Sequence, residues 1–142
     1  IKARLFSLGS YLLAKGKQTY FYYSTNSYYF TGPWYFPEWN INIGRPANDC
    51  DPIDACKLAN GLYQREFSNG MALVNPYDAN ITMSMDLPAT FYEVILSGGN
   101  DPQLPFDRGS LDTPGSLTYK AVNSVTLGPK DAVILLKSLP VK

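Results

Sequence analysis

Histidine is absent from the 142 residues. That removes Ser-His-Asp and Cys-His catalysis and every histidine-containing metal site, so any chemistry rests on carboxylates, tyrosines or lysines. Glutamate is scarce, with Glu38, Glu66 and Glu93 the full set. An excess of either charge is lacking too: twelve basic side chains balance twelve acidic ones, and like charges never run beyond two residues. There is no electrostatic footprint for nucleic acid or an anionic membrane, and nucleic acid is not an expected partner. Long hydrophobic runs are missing. The stretch "AVILL" at 132–136 falls far short of the roughly 20 apolar residues that span a bilayer, so no membrane span is expected. The chain opens on Ile1 without a charged-then-apolar leader, and the expectation is a fragment of a longer protein rather than a processed mature chain.

Cysteine is limited to Cys50 and Cys56 in "CDPIDAC", too far apart for a C-x-x-C redox motif and too few for a zinc site. No metal or cofactor is expected. The proline and aspartates between them favour a tight turn that brings the sulfurs together. A disulfide there contributes about 2–3 kcal/mol on the loop-entropy model and implies an oxidising compartment, extracellular or cell-surface. The alternative is two unpaired thiols in a reducing one. The triplet "NIT" makes Asn80 an N-glycosylation acceptor, a weak signal alone that points the same way.

What is present is enough to fold. With 45% hydrophobic and 17% charged residues the chain is globular and buries one sizeable core. Ile1, Leu5, Leu8, Leu12 and Leu13 recur at helical spacing, with Lys2, Arg4 and Ser7 off the stripe and Gly16 where a C-terminal cap belongs, which predicts a helix over 1–15. "TYFYYS" at 19–24 is β-prone on both faces and reads as a buried parallel strand. Residues 25–60 lose periodicity and form a long loop, an uncommon feature unless it is functional. In "REFSNGMALVNPYD" at 65–78 the Ser68-Asn69-Gly70 turn predicts a hairpin, since Asn and Gly tolerate positive φ. "ITMSMDL" alternates Ile81, Met83, Met85 and Leu87 inward against Thr82, Ser84 and Asp86 outward. "TFYEVIL", "LTYKAV", "SVTL" and "AVILLK" supply further strands, and turn signals between them argue an antiparallel sandwich.

Aromatic residues make up 14% of the chain, and more than half of them lie between Tyr20 and Trp39. Sugars offer apolar C–H faces that stack on rings and hydroxyls that need polar partners. Trp34, Tyr35, Trp39, Asn40 and Glu38 supply both kinds of contact, as binding clefts do. The competing reading is that these rings pack a seam between two parts of the fold. Glu38, between Pro37 and Trp39, is the candidate general acid, because apolar surroundings disfavour its charged form; a solvated or salt-bridged glutamate is the alternative.

The helix ending "YLLAKG", the strand "TYFYY", the loop "PEWNINIGRP", the hairpin "YQREFSNGMALVNP" and the closing "VTLGPKDAVILLK" together resemble the C-terminal end of a glycoside-hydrolase-like family of (β/α)8 barrels with an accessory β-sandwich. The resemblance implies a mixed fold: the last helix and strand of an incomplete barrel with its active-site loop over 1–60, then an antiparallel β-sandwich accessory domain over 61–142. It implies a secreted protein that acts on or binds polysaccharide, with the N-terminal barrel portion, in the same protein or another chain, as a partner. A non-catalytic structural or glycan-binding protein that keeps the fold is the second possibility.

Overall fold

The computed structural model describes residues 1–16, 19–21, 36–78, 80–98 and 115–141. They comprise one α-helix, α1 (Lys2–Ala14), short 3-10 turns at Pro37–Asn40 and Ile53–Cys56, and five strands: β1 (Tyr63–Phe67), β2 (Gly70–Asn75), β3 (Met83–Ser97), β4 (Ser116–Leu127) and β5 (Asp131–Leu136). The strands form one sheet in the order β1-β2-β5-β3-β4, and every strand pairing is antiparallel.

This overturns the expected end of a (β/α)8 barrel followed by a sandwich. Thr19–Phe21 form no strand, and 22–24 lie outside the described residues. The reason is visible in the packing of α1. Its apolar stripe is satisfied within this chain, because Leu8 and Leu12 join Ile43, Phe67, Ala72, Val94, Leu96, Ile134 and Leu136 in one buried cluster. Each leucine of the stripe contributes about 1.5–3 kcal/mol on burial. The helix approaches closely at Gly9, where a Cβ would lie 2.6 Å from that of Ala132 on β5. A side chain there would push helix and sheet apart.

The opposite face of the sheet is also covered. Met71, Leu73, Val133 and Leu135 pack with Leu62, Phe91, Val125 and Leu127 in a second buried cluster, flanked by half-buried Met83, Met85 and Leu87. The long β3–β4 ribbon makes this possible. It pairs with β5 at Tyr92 and Glu93, and its register shifts between Asp86 and Phe91, around Pro88. Proline cannot donate to a ladder and is tolerated at such an irregularity. Beyond it the lower half of the ribbon folds across the back of β2 and β5. Asn75, fully buried at the end of β2, ties that half down by donating its amide to the carbonyls of Ile81 (2.9 Å), Leu127 (3.3 Å) and Gly128 (2.8 Å).

Local expectations met the structure unevenly. Met83, Met85 and Leu87 turn inward, and Thr82, Ser84 and Asp86 are exposed, as the period of two predicts; Ile81, expected inward, is exposed. The hairpin forms, with Phe67 paired to Gly70 across Ser68 and Asn69. None of these turn residues has positive φ. Gly70 is needed for space, because a Cβ there would collide with the Leu135 carbonyl oxygen of β5. The expected glycine cap of α1 is replaced as well. Arg65, buried on β1, donates from Nη1 to the carbonyls of Leu12 (3.0 Å), Leu13 (2.9 Å) and Lys15 (2.7 Å), satisfying the orphaned acceptors of the last helical turn.

The edge of β1 is not bare. Pro46 bridges Phe67 and Lys57 bridges Tyr63, with further backbone bonds from Ala47 N–H to Glu66 C=O (2.8 Å) and from Ser68 N–H to Arg45 C=O (2.8 Å). The loop between these points is closed by the Cys50–Cys56 disulfide. Among the described residues no helix is long and apolar enough to cross a membrane.

Candidate functional site

The concentrated aromatic segment re-enters the described structure at Phe36, and the next residues form the 3-10 turn Pro37–Asn40. Proline at its first position is suited to the turn, having no N–H to leave unpaired and a φ already near the helical value. Trp39 N–H donates to Phe36 C=O (3.1 Å) and Ile41 N–H to Glu38 C=O (3.2 Å), which closes the turn at both ends.

Glu38 points inward from this turn and is 3% exposed. Its Oε1 accepts from Arg4 Nε at 2.8 Å and its Oε2 from Arg4 Nη2 at 3.1 Å, a bidentate pair. Arg4 is itself 1% exposed. Its guanidinium lies 4.4 Å from the Phe36 ring centroid, and its Nη1 donates to Gly98 C=O at 3.2 Å. The sequence reading placed Arg4 off the buried stripe; the structure buries it because its charge meets an equal and opposite one with hydrogen bonds to both oxygens. The signal was in the spacing, since residues 4, 8 and 12 share one helical face.

Trp39, next to Glu38, turns outward and is 36% exposed, with its ring edge-on to Phe36 at 5.6 Å between centroids. Beside it opens a cavity of about 330 Å³, lined by Tyr11, Phe21, Glu38, Trp39 and Lys15 over a floor of Leu8, Leu12 and Ile134. Tyr11 and Phe21 form a tilted ring pair at 5.1 Å, and the Tyr11 hydroxyl donates to Thr19 C=O at 3.0 Å. Among the described residues, Glu38 is the one carboxylate in this lining. The volume falls at the lower end of the roughly 300–1,000 Å³ typical of small-molecule sites.

Of the site residues expected from sequence, the structure brings Glu38 and Trp39 to this cavity. Asn40 lines a different hollow of about 420 Å³, with Asn42, Asn69 and Tyr119. Trp34 and Tyr35 lie outside the described residues. Tyr11, Phe21 and Lys15 join Glu38 and Trp39 from the helix and the segment after it, where the sequence predicts a helix and a strand and gives no sign of a site. Cys50 and Cys56 are joined in a disulfide with Cα atoms 5.3 Å apart. Asn80 is exposed, with φ of 61°. Among the described residues no group of three or more acidic or cysteine side chains gathers as a metal site would require.

A second cavity, of about 1040 Å³, adjoins the first where α1 ends, and Lys15 lines both. Its walls include Arg45, Pro46, Asp49, Asp51 and Arg65.

A family model described as hypothetical glycosyl hydrolase family 15 matches residues 1–71. That span holds every residue lining the second cavity and all of those lining the first except Ile134. No curated protein and no solved structure matches the chain.

Proposed function

Since the chain belongs to hypothetical glycosyl hydrolase family 15, we propose that it binds polysaccharide for an extracellular glycosyl-hydrolase-like protein, with the cavity beside Trp39 receiving a sugar unit. The observation that carries this reading is the pairing of a half-open tryptophan with Tyr11 and Phe21 around a small apolar hollow that also holds a cation, Lys15. Ring faces suit the C–H surface of a sugar, and the few polar groups at the rim suit its hydroxyls. Glu38 serves the site by holding the turn that presents Trp39, because Arg4 occupies both of its oxygens. The disulfide, together with the exposed Asn80 acceptor triplet, supports the extracellular assignment.

Affinity electrophoresis through gels containing soluble glucans, xylan, mannan or chitin derivatives tests the reading. Retardation in at least one gel, lost in Trp39→Ala, is the expected result. Uniform mobility of the native chain in every gel overturns it.

A second reading makes Glu38 the general acid of a hydrolase, favoured by its place in the lining of the same cavity. The two part on Glu38→Gln: the acid reading requires reducing-sugar release by the native chain that this variant abolishes, whereas the binding reading requires no turnover and gives Glu38 only its hold on the turn.

A further inference from the structure

We infer that the two cavities beside α1 form one groove that takes several consecutive units of a neutral oligosaccharide, an inference that rests on the glycan-binding reading above and specifies its ligand. The two linings meet at three points. Lys15 lines both cavities, Leu12 in the first gives way to Leu13 in the second, and Ile43 in the first gives way to Gly44 and Arg45 in the second. Gly44 makes the last step possible: its φ is +88°, and a Cβ there would collide with the Ser68 hydroxyl. The chain turns at this point to run from one cavity to the other.

The two halves differ in chemistry in the way a sugar polymer requires. The first, about 330 Å³, presents the rings of Tyr11, Phe21 and Trp39 and holds one stacked unit. The second is larger, about 1040 Å³, and presents Arg45, Asp49 and Asp51, donors and acceptors suited to hydroxyls. Charges of both signs line it, which favours a neutral glycan over a uronic or sulfated one. Arg45 is anchored through its backbone, its N–H donating to Ser68 Oγ at 3.1 Å, while its side chain is exposed.

The groove is also held open. The Arg4–Glu38 pair fixes the Trp39 turn at one end, Arg65 fixes the end of α1 in the middle, and the Cys50–Cys56 disulfide holds Asp51 at the other. A preformed groove avoids the ordering penalty that a loose loop would incur on binding a flexible chain.

Titration calorimetry of the full chain with cello-, xylo-, manno- and chito-oligosaccharides of two to six units tests the inference. For the series that binds, affinity is expected to rise at least about tenfold between two and six units, the worth of one added charge-assisted hydrogen bond. Arg45→Ala, with unchanged thermal unfolding, is expected to lower hexasaccharide affinity by about tenfold and leave the disaccharide unaffected; Trp39→Ala is expected to weaken both. Affinity independent of length, or an Arg45→Ala variant that binds the hexasaccharide as tightly as the native chain, overturns the groove while a Trp39→Ala loss keeps the single-unit reading. An equal loss for both lengths in Arg45→Ala also overturns the division into two ends. Failure of every series to bind removes both.

Discussion

Arg4 of the helix and Glu38 of the turn, 34 residues apart in sequence, meet through two hydrogen bonds of 2.8 and 3.1 Å, with almost no access to solvent. The pair joins the first turn of α1 to the segment that carries Trp39. Buried charges of this kind stabilise little relative to an apolar replacement, but removing one alone strands the other. Arg4→Met is therefore expected to destabilise the chain by about 3–5 kcal/mol, and Arg4→Met with Glu38→Leu by much less. Urea unfolding of the single and double variants checks this; a single variant within about 1 kcal/mol of the native chain would show that the pair does not hold the turn.

Arg65 should matter through the helix it caps. Arg65→Met removes the donors for three carbonyls, and a loss of several kcal/mol is expected, with Arg65→Lys recovering only part because an ammonium lacks the planar fork. Amide exchange along the helix localises the effect, which should be largest in its last turns.

The register of β3 gives a paired comparison. Met85→Asp places a charge against Val125 and the buried face of the sheet and is expected to lower stability by several kcal/mol. Ser84→Asp, on the exposed face, should change it by about 0.5 kcal/mol or less. Similar unfolding midpoints for the two variants would reject the assigned faces.

Glycines separate in the same way. Gly70→Ala drives a methyl group into the Leu135 carbonyl and is expected to cost about 1–3 kcal/mol as β2 is pushed from β5. Gly16→Ala meets, among the described residues, nothing nearer than the Thr19 methyl at 3.7 Å, at a position without positive φ, and should be neutral or slightly stabilising. Thermal unfolding of the two variants provides the check.

The features legible in the sequence were those governed by neighbours within one turn or one strand. The Leu8 and Leu12 stripe and the alternation from Met83 to Leu87 rest on local periodicity and the hairpin at Ser68 and Asn69 on its turn residues, and the structure contains all three, the hairpin without the positive φ that those residues tolerate. What failed depended on distant partners. The β-prone letters at 19–24 suggested a strand, but a strand needs a ladder, and at Thr19–Phe21 none is made; Phe21 packs instead on Tyr11. Arg4 falls off the apolar stripe because charge normally marks a wet face, and only the fold supplies the Glu38 that makes its burial tolerable, as it supplies the helix carbonyls that satisfy buried Arg65. Trp39 and Glu38 were found from composition; that Lys15 and Tyr11 would join them follows from how α1 lies on the sheet.

The covering of β1 has a consequence for solubility. An uncovered edge strand offers its unpaired N–H and C=O groups to any other chain, and β1, bounded by Tyr63 and Phe67, would be such a template. Pro46 and Lys57 occupy that edge, and the disulfide holds the segment between them closed. Reduction of Cys50–Cys56 removes a short-loop constraint of about 2 kcal/mol, a modest change for the folded core, yet it frees the guard from the strand it shields. The reduced protein should thus aggregate at temperatures where its sheet is still intact, with light scattering rising before the far-ultraviolet dichroism falls. The bond between these two cysteines acts as a barrier against self-recruitment at the β1 side of the sheet.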